Sequence, residues 1–178
     1  WTVEPGANRY YGLLVLDEGT GSVTFVGETS NLKRSTSAVL TVGSGRELIV
    51  DGCVFNIATA LTTGSYRVRS GWIKAAQTVS LGGSCCIHVD GGVFGGSTNS
   101  EGVPTFSTDL SIRNNASLIV SGGLAHLHSY KVYGSDEPGE RGGLIRLTGG
   151  TLQNDDGFAS YRTQIEGGRF ENLGGTVL

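Results

Sequence analysis

Three stretches of this 178-residue chain align without a gap over sixteen residues. They are Leu40 to Phe55 (LTVGSGRELIVDGCVF), Val79 to Phe94 (VSLGGSCCIHVDGGVF) and Leu110 to Ala125 (LSIRNNASLIVSGGLA). A repeat of this length constrains the fold more than any bulk property. Each copy must be one supersecondary unit that cannot bury its apolar face alone. The shared pattern is apolar-x-apolar, a five-residue turn, apolar-x-apolar, a polar residue and a Gly-Gly-like pair. A fourth copy fits with one extra turn residue through Leu14, Leu16, Val23, Phe25 and Gly27. The second half recurs at Ile145 to Leu152 and at Thr163 to Phe170.

Each apolar-x-apolar unit reads as a short strand with alternate residues inward. Gly52, Gly91, Gly122, Gly149 and Gly167 follow such units and are expected to take positive φ at one recurring corner. Strand, turn, strand and corner, repeated and stacked about 4.8 Å apart, make parallel sheets around a continuous core. Leu40, Val79 and Leu110 would form one inward ladder, and Val50, Val89 and Val120 another. Composition agrees. The 30 glycines are about 17 % of the chain against a usual ~7 %. They lack a three-residue period and prolines number only 3, which excludes collagen. A glycine costs about 1 kcal/mol inside a helix, which disfavours a helical bundle. Hydrophobic residues at 38 % and a net charge of −3 disfavour disorder.

The motifs LTVGSGRELIVDG, LSIRNNASLIVSGG and IRLTGGTL resemble those of the right-handed parallel β-helix of the pectin-lyase-like kind. Similar units recur in phage tailspikes and fibres and in bacterial autotransporter adhesins. The resemblance implies an all-β, single-stranded solenoid with irregular loops over residues 13–178, after an N-terminal cap or linker over residues 1–12. A β-sandwich is the structural competitor, but it does not account for a gapless repeat that includes the glycine corner. Copy starts at positions 14, 40, 79 and 110 are unevenly spaced. The surplus is assigned to unrecognised coils or to loops at Val26 to Ser37, Asn56 to Thr78, Gly95 to Asp109 and His128 to Gly143.

Candidate chemistry is sparse. The polar position before the glycine pair holds Asp51, Asp90, Ser121, Thr148 and Glu166. Asp51, Asp90 and Glu166 are the candidate catalytic acids, because carboxylates about 5 or 9.5 Å apart suit glycoside cleavage. The plainer reading is that Asp-Gly is good corner chemistry. Tyr66, Arg67, Arg69 and Trp72, with Tyr130 and Tyr133, are candidates for sugar or acidic ligands through stacking and bidentate bonds. Tyr161 is a further aromatic candidate. His126 and His128 share a face if they lie on one strand and could join Asp136 or Glu137 at a metal. Asp155-Asp156-Gly157 reads as a turn or a weak calcium site. No metal and no cofactor is expected. His88 should point outward. Cys53, Cys85 and Cys86 read as reduced, buried residues, with a bridge from Cys53 to Cys85 or Cys86 as the alternative.

The pI near 5.6 offers no basic field for nucleic acid. No apolar run approaches the ~18 residues of a membrane span, and Trp1 to Pro5 does not read as a signal peptide. The expected function is a non-enzymatic structural or adhesive module of a virion surface, as in a phage tail fibre, spike segment or capsid decoration protein. It would form a homotrimer with other virion or surface proteins as partners and a surface glycan as ligand. The alternatives are an adhesin passenger segment, extracellular or on a bacterial cell surface, and a polysaccharide-degrading enzyme.

Overall fold

Short apolar-x-apolar segments become strands throughout. The computed structural model describes residues 1–57, 60–75, 78–98, 104–105, 108–135, 138, 141–155 and 163–178, and among them no helix occurs. Two sheets of eight strands and one of five have parallel ladders. A separate antiparallel pair joins Ser97–Thr98 to Pro104–Thr105. The first sheet runs in space from Thr2–Val3 through Gly21–Val26, Arg46–Asp51, Ser65–Val68, Cys86–Val89, Ser117–Val120 and Leu144–Leu147 to Arg169–Asn172. The second runs from Arg9–Leu16 through Asn31–Val42, Val54–Asn56, Trp72–Lys74, Val93–Phe94, Leu124–Leu127 and Thr151–Asn154 to Thr176–Val177. The third holds Ala60–Leu61, Thr78–Leu81, Asp109–Ile112, Ser129–Tyr133 and Gln164–Glu166.

From Arg46 onward the chain visits the first, second and third sheets in turn, then steps one strand along each. This order is compatible with a parallel β-helix. Inward residues stack between circuits: Val50, Val68, Val89, Val120 and Leu147 lie opposite one another in sequence, all fully buried. Leu81 and Ile112 extend the third-sheet wall, and Phe55, Ile73 and Phe94 the second. The resulting core is one continuous cluster along the molecule.

The circuits differ in length. Glu47 pairs with Ser65, 18 residues on, while Cys86 pairs with Ser117, 31 residues on. From Val50 onward one corner is constant. Three residues separate Val50 from Val54, Val68 from Trp72, Val89 from Val93, Val120 from Leu124, Leu147 from Thr151 and Asn172 from Thr176. From Val50 onward the variation falls in the connections into and out of the third sheet, whereas one circuit earlier five residues, Val26 to Ser30, separate Phe25 from Asn31 at the same corner.

The corner glycines act differently from the expectation. Gly52 has positive φ, but Gly91, Gly122 and Gly149 do not. In two of those corners the next residue, Gly123 or Gly150, takes φ +64°. The requirement at the first glycine is space. A Cβ on Gly91, Gly122 or Gly149 would lie 2.5, 2.1 or 2.4 Å from the carbonyl oxygen of Arg69, Asp90 or Ser121 on the preceding circuit. Gly167 takes the expected positive φ but belongs to another corner. It follows the third-sheet strand Gln164–Glu166 and leads into the first sheet, while Gly174 and Gly175 occupy the constant corner of that circuit.

All four expected loops contain strands, and Gly95 to Asp109 holds the antiparallel pair Ser97–Thr98 and Pro104–Thr105. Asn31–Val42 lies largely within the stretch Val26 to Ser37 and beyond it. Ala60–Leu61, Ser65–Val68 and Trp72–Lys74 make an extra circuit inside Asn56 to Thr78. Ser129–Tyr133 belongs to the third sheet. The boundary expected at residue 13 falls inside the strand Arg9–Leu16, and Thr2–Val3 already pairs with the first sheet.

Candidate functional site

The outward face of the third sheet carries a groove of about 380 Å³. Strand alternation builds it. On Asp109–Ile112 and Ser129–Tyr133, the residues Leu110, Ile112, Tyr130 and Val132 are buried, so Asp109, Ser111, Lys131 and Tyr133 face the other way. Parallel register places Thr78 beside Asp109 and Asp109 beside Ser129. It also places Ser80, Ser111, Lys131 and Gln164 in one row. The Arg113 guanidinium lies 4.3 Å from the centroid of the Tyr133 ring, where a cation is held by the ring face.

The groove is rich in hydroxyls held in place. Ser111 donates to Ser80 at 3.0 Å, and Ser129 donates to the Asp109 carboxylate at 2.5 Å. Lys131 Nζ lies 3.9 Å from Glu166 Oε1. A stacked aromatic and guanidinium, beside ordered hydroxyls and a lysine, match the apolar faces and polar rims of a sugar ring.

The sequence candidates are scattered by the fold. Tyr66 and Tyr130 are corrected outright. At 1 % and 0 % exposure they fill the core, because each occupies an inward position of its strand. Burial raises the pKa of both phenols. Arg67 points outward from the first sheet and donates to Glu47 at 2.7 Å and to Asp90. Arg69 is exposed at the constant corner. Trp72 lies on the second sheet, where its indole N–H donates to the Gly95 carbonyl at 2.6 Å and Lys74 sits 4.4 Å from its ring centroid. Tyr133 alone of the six lines the groove.

The three candidate acids do not form one constellation. Asp51 and Asp90 share the corner column, but Arg69 stands between them, because Val50 pairs with Val68 and Val68 with Val89. Ser70 donates to Asp51 at 2.8 Å, and Ser121 donates to Asp90 at 2.7 Å. Burial works against ionisation of Asp90. The Ser121 hydrogen bond and the Arg67 guanidinium outweigh it and hold this carboxyl below the usual range. Glu166 lies on the third sheet, opposite Tyr133.

His126 is buried on Leu124–Leu127 with Nε2 2.8 Å from Asp155 Oδ1, and His128 lies just outside that strand. Asp136, Glu137, Asp156, Gly157 and Tyr161 lie outside the described residues. Among the described residues no group of three His, Cys, Asp or Glu side chains is placed to hold a metal. All three cysteines are free thiols, and Cys86 is only half-buried.

Arg113, Lys131, Asp109 and Ser129 were missed by sequence reasoning. Arg113 sits in the turn of the third repeat copy, and Lys131 lies in a stretch read as loop. The available signal was the alternation Ser129-Tyr130-Lys131-Val132-Tyr133. The chain matches no protein-family model, no curated protein and no solved structure.

Proposed function

We propose that this chain is a right-handed parallel β-helix of the pectin-lyase-like kind, serving as a non-enzymatic structural or adhesive module of a virion surface. In this reading it assembles as a homotrimer and takes a surface glycan in the third-sheet groove. The carrying observation is the Arg113–Tyr133 stack beside the ordered hydroxyls of Ser80, Ser111 and Ser129. Binding is favoured over cleavage because Asp51, Asp90 and Glu166 are spread over two faces, and serines, an arginine and a lysine already engage them.

The test is binding to a panel of immobilised surface glycans. Wild-type protein retains at least one glycan, and Tyr133→Ala and Arg113→Ala lose it while keeping the wild-type melting midpoint. Sedimentation gives a trimer mass. Retention unchanged by both substitutions overturns the groove, and a monomer mass overturns the assembly.

A further inference from the structure

The outward face of the first sheet holds a cluster that the groove does not use. Cys86 and His88 are two residues apart on Cys86–Val89, so both face outward while Ile87 and Val89 enter the core. Cys86 Sγ lies 3.1 Å from His88 Nε2. From the next circuit, the Ser117 hydroxyl donates to the same sulfur at 3.0 Å. Cys53 and Cys85 are different: both are fully buried, and burial pushes their thiols up to about 11 and about 12.

We propose that Cys86 is a covalent modification site for small disulfides, with His88 as the base that takes its proton. Cys86 Sγ attacks one sulfur of a disulfide R–S–S–R. The S–H proton passes to His88 Nε2, the Sγ–S bond forms, and the S–S bond breaks. The departing thiolate takes the proton from the imidazolium and leaves as R–SH. The disulfide is the oxidant: one half is reduced to thiol, and Cys86 is oxidised to the mixed disulfide. The Ser117 hydroxyl faces the sulfur on which negative charge develops.

The surroundings favour a base-assisted attack over a standing thiolate. Burial raises the Cys86 thiol, against the Ser117 hydrogen bond and the Arg67 charge, so the resting group is protonated. Burial and then Arg67 lower His88, against Asp90 and Glu47, so its imidazole is neutral at pH 7 and able to accept a proton. Arg67 and Glu47 reach this face from Ser65–Val68 and Arg46–Asp51, and Asp90 follows the Cys86–Val89 strand. The next strand offers the uncharged Ser117 and Ile119.

The experiment is reaction of the native protein with dithiobis(nitrobenzoate), followed by release of the coloured thiolate and peptide mapping. One fast-reacting thiol per chain is expected at Cys86, and Cys86→Ser removes it. His88→Gln slows the reaction near pH 7 on the order of tenfold or more, while in denaturant wild type and variant react alike. The unaltered protein gives a second reading. Its rate should rise through the titration of His88, below the ordinary 6.5, and then level off. A native Cys86 that does not label, a His88→Gln rate equal to wild type, or a wild-type rate that climbs steadily toward the thiol range overturns the proposal.

Discussion

A Cβ placed on Gly122 would lie 2.1 Å from the carbonyl oxygen of Asp90, one circuit away. No side chain can move aside to relieve that contact, because the obstacle is backbone. Gly122→Ala should therefore lower the melting midpoint by several degrees. Gly12→Ala and Gly82→Ala, where the new Cβ meets nothing within 4 Å, should leave it nearly unchanged. Thermal unfolding of the three variants checks this. Equal midpoints would remove the close-approach account of the corner.

Phe55 ties the first circuits together. It is fully buried, and its ring lies 5.0 Å from Phe25 and 5.7 Å from Tyr11, centroid to centroid. Phe55→Ala should cost about 3–5 kcal/mol, readable as a shift of the denaturant midpoint. The exposed Leu13→Ala should cost far less.

Acid should weaken the first-sheet face in two stages. His88 and Asp90 both have folded-state pKa values below their ordinary 6.5 and 3.8. The unfolded chain therefore binds protons first, and stability falls as pH drops through each window. His88 contributes the first loss, below about pH 6.5, and Asp90 the second, below about pH 4. Denaturant midpoints measured from pH 7 to pH 3 should fall less steeply in His88→Asn over the upper window, and less steeply in Asp90→Asn over the lower one.

The 31-residue circuit should tolerate shortening. The Gly96 amide donates to the Thr108 hydroxyl at 2.9 Å, and that hydroxyl in turn donates to the Ala75 carbonyl, which pins both ends of the insertion. Replacing residues 97–107 by a short Gly-Ser link should preserve cooperative unfolding, since an 18-residue circuit already closes elsewhere. Loss of a single sharp transition would show the insertion to be structural.

Much of the winding was legible because the repeat and the register coincide. The copies at Val79 and Leu110 align in sequence, and the structure pairs Val79 with Leu110, Val89 with Val120 and Phe94 with Ala125. The circuit through Tyr66 and Val68 escaped notice because Arg69-Ser70-Gly71 replaces the polar-Gly-Gly signature. Thr163 to Phe170 misled for the opposite reason. Its Gly-Gly pair follows a third-sheet strand, and local sequence does not say which corner a glycine pair turns. The groove was hidden because its members come from separate circuits, and only stacking brings Arg113 to Tyr133. The inward tyrosines were misjudged because Tyr66 and Tyr130 match apolar ladder positions that other circuits fill with Leu, Ile or Val.

From Val50 onward, the constant three-residue corner and the variable connections of the third sheet divide the molecule like a bound book. One edge is stitched, since a side chain at its glycines would run into the carbonyls of the neighbouring leaf. The opposite edge is open, and pages of different width can be sewn in without disturbing the binding. Length changes in such a chain would therefore accumulate beside the third-sheet groove, so that what borders the groove can be rewritten while the core keeps its register.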